Sequence, residues 1–488
     1  MSAVVHTAAR ASAITLLLLA QGCSLGPEYR APENDLPAAW GAPQAGAALP
    51  GARWWTLYGD PALDRLVDEA LTHNQDLALA TARVDEARAL ARVADAQLVP
   101  AVDAGFNRNR ARSSSKSSTP LPPNIPLERN TYRGQINIAY ELDLWGRLRD
   151  SAKAAYADLL ATQYARDTLR LVIASETVKG YYGLAALDSQ LAATQRSLDL
   201  RRENLRLQRV RSEAGLIDNF ALRQLEAEVA AAEAQLPGLE QQRTAQELAL
   251  GVLLGRSPRA LLASRITADN TTGQPAAAVV PQGLPSDLLL RRPDIREAEQ
   301  RLIAANARIG AARASLFPQI SLTGFYGTDS AQLGDLFTTP ARIWQLGYAL
   351  SQPIFQGGRL FGQIESIEAR EKQTLAQYLK TVQNAFRETR EALLAQTRAR
   401  ETFNAETDRT KALSESLRLA RIRYENGISS QLELLDAERN LLAAELNRAA
   451  ALRAQRNAVA DVVRALGGGW EKTAAGPGNA NAASAPHP

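Results

Sequence analysis

The chain has 488 residues, and its 56 Lys and Arg nearly balance 52 Asp and Glu, leaving a formal net charge of +4. The two signs are interspersed, as in Arg387-Glu388-Thr389-Arg390-Glu391, with no basic block, which argues against nucleic acid as a partner. One cysteine excludes an internal disulfide. His73 is the only histidine of the folded body, and no metal spacing or nucleophile motif accompanies it, so neither a cofactor nor a catalytic centre is expected.

Residues 1–22 read as an export signal: His6 and Arg10 precede the apolar run from Ile14 to Ala20, which is too short for a membrane span. Cys23 follows at once, and two readings are open there. One is an ordinary signal with an incidental cysteine. The other is a bacterial lipobox, in which Cys23 is acylated and becomes a mature N-terminus held in outer-membrane lipid. Small residues surround Cys23, although Ala20 stands where the lipobox pattern places Leu, and Ser24 in place of Asp favours the outer membrane. Each buried methylene of an acyl chain would contribute about 0.8 kcal/mol. Residues 23–62 read as an extended leader.

The chain then repeats itself. Arg147 to Gly255 and Arg359 to Gly467 match at an offset of about 212 positions; Asp76-Leu77 with Asp294-Ile295, and Pro100 with Pro318, match at a slightly larger one. Each copy, residues 63–255 and 295–470, reads as helix, strand pair, very long helix, tight turn and returning helix. A Pro-, Ala- and Gly-rich equatorial segment, 256–294, joins the copies, and 471–488 reads as a disordered tail.

In the first copy strands are expected over 101–110 and 132–144, with a Ser- and Pro-rich tip at 113–130; in the second, over 319–328 and 343–355. Ile136, Ile138, Tyr140, Leu142 and Leu144 alternate with Gln135, Asn137, Glu141 and Asp143, and Leu346, Tyr348 and Leu350 continue the apolar face. Such strands suit either a small soluble sheet packed on helices or part of a membrane barrel. Four strands alone leave two open edges, which lipid does not tolerate. A barrel would therefore need other chains and a strand total of about 8, 12 or 16.

The helices are long. Residues 148–212 are rich in helix formers, and Leu184, Leu191, Leu198 and Leu205 recur every seven positions, the spacing of a coiled-coil seam. About 65 helical residues span roughly 98 Å, whereas the returning helix of about 38 residues reaches roughly 57 Å and a helix over 295–316 adds roughly 33 Å. This arithmetic predicts a long helical column, hollow or solid.

Several motifs resemble the TolC-type outer-membrane factors, in the lipoprotein branch typified by NodT and OprM. They include Cys23-Ser-Leu-Gly-Pro-Glu-Tyr29, Trp54-Trp55 with Tyr58-Gly59-Asp60-Pro61, and Leu142-Asp-Leu-Trp-Gly-Arg147. Leu290-Arg-Arg-Pro-Asp-Ile-Arg296, Ala305-Asn306-Ala307, Leu316-Phe-Pro318, Pro353-Ile-Phe-Gln-Gly-Gly-Arg359 and Ala465-Leu-Gly-Gly-Gly-Trp470 continue the series over almost the whole mature chain. The resemblance implies a mainly α fold with a β-barrel portion: a homotrimeric, twelve-stranded outer-membrane barrel, four strands per chain, continued by a periplasmic coiled-coil tunnel. It also implies a conduit for small toxic compounds, joined through a periplasmic adaptor to a proton-driven inner-membrane pump of the RND type.

By the same resemblance, Leu432 supplies an apolar ring at a periplasmic gate and Asp436 an acidic ring on the same helix face. Asp436 read alone is equally a solvated helix residue. Three carboxylates at an axis would raise one another's pKa or recruit a cation. Tyr424 matches a tyrosine that latches to an aspartate in relatives, but Ala221 occupies that aspartate's position here; Asp218, one turn earlier, is the substitute acceptor to look for. The hairpin tips Gly215, Leu216, Gly427 and Ile428 are the expected adaptor contacts, although glycine also suits a tight interhelical turn. The alternatives to drug efflux are the outer part of a type I protein-secretion system and a non-conducting periplasm-spanning lipoprotein tether.

Overall fold

A computed structural model describes residues 25–33, 35, 51–116, 122, 125–215, 218–263, 265–267 and 290–468. The expected export signal 1–22, Cys23, Leu216, most of the equatorial segment and the tail 471–488 lie outside the described residues.

The duplication is visible in the elements. Helix α1 (Pro61–His73) is followed by α2 (Gln75–Ala96), β1 (Ala101–Arg112), β2 (Glu128–Leu142), α3 (Arg147–Glu213) and α4 (Asn219–Leu253). After the short α5 (Pro258–Ala263) come α6 (Pro293–Ala314), β3 (Gln319–Ser330), β4 (Arg342–Ser351), α7 (Arg359–Glu425) and α8 (Gln431–Ala465). Helices α2 and α6 both have 22 residues, α3 and α7 both have 67, and α4 and α8 both have 35. Starts of α2 and α6 lie about 218 positions apart and those of α3 and α7 about 212, so the copies differ in length only across their strand pairs.

Two compact units result. The first, residues 1–33, 83–163 and 297–379, holds the sheet. Its four strands are antiparallel in the order β1-β2-β3-β4, leaving β1 and β4 as edges. Strand β2 begins four residues before the expected 132, inside the expected tip, and stops at Leu142, so Leu144 is not part of the strand. Asp143 turns the chain there: its Oδ2 accepts from the Arg149 amide at 2.9 Å, while Gly146 takes φ 80°. Strand β4 ends at Ser351 instead of continuing toward Phe355, because Pro353 has no N–H to give a ladder. At the base, Trp145 Nε1 donates to the Pro318 carbonyl at 2.8 Å and its ring lies 4.9 Å from that of Phe317. Arg147 grips Glu141 with two hydrogen bonds at 3.0 and 2.6 Å. Below the sheet Ala154, Ala157, Ala304 and Ala307 form a close-packed alanine seam. The leader docks on this unit too: a Cβ on Gly26 would lie 3.0 Å from the Gly310 Cα, so two bare glycines permit the contact.

The second unit is residues 34–82, 164–296 and 380–488. Its largest core gathers Trp54, Trp55, Tyr58, Leu63 and Tyr181 against Val459, Val462 and Val463. Asp60 caps α1 through the Ala62 and Leu63 amides and accepts the Tyr181 hydroxyl at 2.7 Å; Tyr58 donates to the Arg456 carbonyl at 2.8 Å. The Trp-Trp and Tyr-Gly-Asp-Pro motifs are thus a core plug. Two symmetry-related staples close the return helices. Asn74 Nδ2 donates to the Leu253 carbonyl at 2.8 Å, and Arg292 Nη1 to the Ala465 carbonyl at 2.7 Å, each at the last residue of its helix. Arg292 also forks Asp294 and reaches Glu388 at 2.9 Å, which accounts for the Arg-Arg-Pro-Asp motif.

Candidate functional site

Two places are candidates for function: the sheet of the first unit and the helical hairpins of the second. Alternation along the strands gives the sheet two unlike faces. On one, register aligns Val102 with Ile138, Ile136 with Tyr326, Leu322 with Tyr140 and Tyr348, and Tyr326 with Trp344. Trp344, Leu346 and Tyr348 are 74, 81 and 82% exposed. The opposite face carries Asp103, Asn107, Gln135, Asn137, Ser321, Thr323 and Gln345. An apolar, aromatic-rich outer face over a polar inner one is the pattern of a barrel wall facing lipid and lining water. Among the described residues no helix is long and apolar enough to cross a membrane.

At the hairpins, Gly215 and Gly427 take φ 69° and 72°, the left-handed residues that end α3 and α7. Asp218 caps α4 by accepting from the Ala221 amide at 2.9 Å. Its Oδ1 is thus engaged at the helix start. The Tyr424 hydroxyl instead accepts from Gln208 Nε2 at 2.9 Å, a side chain of the same protomer with only 3% exposure. Ile428 and Phe220 stand out into solvent beside the turns, as does Leu432. Phe220 was not singled out from the sequence; nothing in its spacing distinguished it from a seam residue.

Between the hairpins lies a small apolar cluster, Leu198, Leu205, Leu225, Val229, Ala232 and Leu435. A charged chain borders it. Glu228 accepts from Arg201 Nη1 at 2.9 Å and from Arg439 Nε at 3.2 Å, with a further contact from Arg439 Nη2. Arg439 Nη1 in turn donates to Asp436 Oδ1 at 3.4 Å. The expected gate carboxylate is thus tied, through Arg439, to the opposite hairpin. The hydrogen bond from Arg439 holds the Glu228 carboxyl below its usual range. Burial pushes Glu438 above it, against the pull of Arg201 and Arg421 and with the repulsion of Glu228, and its Oε2 has no hydrogen-bond partner. Arg201, Glu228, Glu438 and Arg439 are the functional candidates that sequence reasoning missed. For three of them the signal was asymmetry of the repeat: Arg201 stands over Leu413, Glu228 over Asn440 and Ala227 under Arg439, at the same offset of about 212, whereas Glu438 stands over Glu226 and carried no such signal. No metal-holding cluster occurs among the described residues.

A sheet with a lipid-type face and open edges, on a chain whose hairpins close through a charged seam, defines a membrane channel subunit. The chain belongs to the outer membrane efflux protein family, whose model matches residues 66–256 and 284–468. It is 35% identical over 469 residues to the solvent efflux pump outer membrane protein SrpC of Pseudomonas putida, covering 93% of this chain and 97% of the relative. To the antibiotic efflux pump outer membrane protein ArpC of the same organism it is 36% identical over 468 residues, covering 94% of this chain and 95% of that one. The solved Campylobacter jejuni CmeC outer membrane channel matches with a TM-score of 0.86 at 25% identity, over 92% of this chain and 96% of that one. The chain is the outer-membrane channel component of an efflux pump.

Proposed function

We propose that three copies close a twelve-stranded barrel and a twelve-helix tunnel, and that this tunnel is a conduit without reaction chemistry of its own. The observation that carries the reading is the sheet: four antiparallel strands, both edges open, one face apolar and aromatic. Lipid does not tolerate an open edge, so the wall is completed by further chains. The inner polar face then lines water.

The cargo is small, toxic and largely apolar, in keeping with the solvent and antibiotic pumps among the relatives. A proton-driven RND-type inner-membrane pump supplies it, and a periplasmic adaptor seats on the hairpin tips around Gly215, Leu216, Gly427 and Ile428, where exposed Ile428 and Phe220 offer apolar contact. Cys23 carries the lipid anchor. Gly26, three residues on, packs against Gly310.

Closure at the periplasmic end rests on Leu432 and Asp436. In each protomer Arg439 shares itself between Asp436 and Glu228 and so couples the acidic ring to the neighbouring hairpin. Conductance in planar bilayers tests this. Wild type should pass small, cation-selective currents, and Asp436→Ala should raise the single-channel current severalfold and weaken the selectivity. Inserted protein that passes no current in either form would refute a gated channel and favour a tether.

A further inference from the structure

The apolar face of the sheet does not stay apolar to its loop end. Alternation puts Arg108, Arg110 and Arg112 on the side of β1 that carries Val102, Ala104 and Phe106, and Arg342 on the side of β4 that carries Trp344, Leu346 and Tyr348. Register sets their height. Tyr326 pairs with Trp344, and the next outward pair toward the loops is Thr328 with Arg342. Thr328 also pairs with Gly134, which pairs with Phe106; one outward step beyond, Arg108 pairs with Tyr132, then Arg110 with Asn130 and Arg112 with Glu128. Arg342 therefore stands level with Phe106, Arg108 level with Tyr132, and Arg110 and Arg112 beyond both, at the end of the sheet remote from the helices.

The charges there are unbalanced. Among the described residues the one carboxylate on this stretch of the face is Glu128, which accepts from Arg110 at 2.8 Å and lies 3.6 Å from Arg112. Asp329, level with these residues, belongs to the other face, where it pairs with Arg133. Arg108 is packed over the Tyr132 ring, 5.6 Å from its centroid, which fixes the guanidinium beside the aromatic level. Arg110 and Arg112 have side chains 68 and 71% exposed.

We propose that Arg108, Arg110, Arg112 and Arg342 form a cationic belt that binds the phosphate groups of the glycolipid in the outer leaflet of the outer membrane. The proposal rests on the barrel reading above, which turns this face to lipid. Arginine is suited to the task because its planar fork meets a phosphate with two parallel hydrogen bonds. Because β1 and β4 are the two edges of the sheet, closure by identical copies sets β4 of one beside β1 of the next. All four cations then gather at each seam between protomers, and a phosphorylated glycolipid bound there would bridge two chains.

The test compares the full-length protein with the Arg108→Gln, Arg110→Gln, Arg112→Gln, Arg342→Gln variant, each incubated with diphosphorylated lipid A or with its dephosphorylated form, and bound glycolipid counted by native mass spectrometry. Wild type should retain the diphosphorylated form at least tenfold better than the variant and better than the dephosphorylated form, and millimolar inorganic phosphate should not displace it. Equal retention by wild type and variant, or equal retention of both lipids, would overturn the belt. An Arg→Lys variant at the same four positions guards against misfolding: it should keep part of the retention, and retention equal to wild type would refute fork recognition. Channel conductance separates the two readings, since a conducting variant with unchanged lipid retention sinks the belt and leaves the barrel standing.

Discussion

Glu438 is the residue whose chemistry is least settled by its surroundings. It is buried, one of its oxygens lacks a partner, and Arg201, Arg421 and Glu228 all face it. Burial raises its pKa, so the charged form is disfavoured in the folded protein. The sign follows from linkage. A carboxyl raised on folding costs nothing while it is protonated in both states, and costs stability as pH rises from its unfolded value through its folded one. Glu438→Gln, which imitates the neutral acid, should therefore stabilise the protein by about 1 kcal/mol at pH 7.5. That advantage should shrink toward zero as pH is lowered through the raised pKa. Glu228 has the opposite sign: its carboxyl is depressed by Arg439, and its contribution is lost only at more acid pH, equally in both proteins. Thermal melts of the two proteins across pH check this; a constant difference at every pH would show that folding leaves the Glu438 pKa unchanged. None of this was legible in the chain. Glu438 reads as one more Glu on an Arg- and Glu-rich helix, and only the packing of hairpin on hairpin buries it.

At the scale of elements the sequence was far more transparent. Fixed-period similarity is a statement about element length, and the paired helices of 22, 67 and 35 residues obey it. Helix ends were legible at the turn glycines Gly215 and Gly427, whereas the caps Asp218 and Ser430 came only from the structure. Strand ends were less so, because Asp143 and Pro353 stop β2 and β4 inside runs that still alternate. The staples could not be read at all, since Asn74 and Arg292 do the same task with different side chains at equivalent positions. The glycines that follow these helices differ in what surrounds them. A Cβ at Gly255, φ 72°, would sit 2.0 Å from the His73 carbonyl oxygen, a backbone atom, whereas one at Gly215, φ 69°, meets nothing within 4 Å. Both alanine variants carry left-handed strain of about 1–2 kcal/mol. Gly255→Ala must also push α1 away from α4, so it should lose at least about 3 kcal/mol in total. Unfolding followed by circular dichroism should rank Gly255→Ala well below Gly215→Ala; equal losses would mean that the α1–α4 junction yields freely.

For the whole molecule the open sheet is the governing fact, because one chain supplies four strands of a wall that has to close. The alternation of Ile136, Ile138 and Tyr140 with Gln135, Asn137 and Glu141 already declared two faces, but a sequence carries no information on how many copies a ring holds. That number follows from strand tilt and stagger, properties of the closed barrel. It can be counted by chemistry. With Cys23 replaced by Ser, the chain has no native cysteine left. A cysteine fixed at Gly105 on edge strand β1, where a side chain meets nothing within 4 Å, can be paired with a cysteine scanned along edge strand β4 from Arg342 to Ser351. A polar-facing partner such as Gln345 or Gly347 shares the inner side with Gly105. If β4 of one copy lies beside β1 of the next, some position on β4 gives disulfide-linked ladders on a denaturing gel. A twelve-stranded wall predicts that the ladder ends at three chains, whereas dimers alone or tetramers would mean about 8 or 16 strands. Ladders that run on without limit would mean that the sheet does not close, and would remove the basis for reading its polar face as a channel lining.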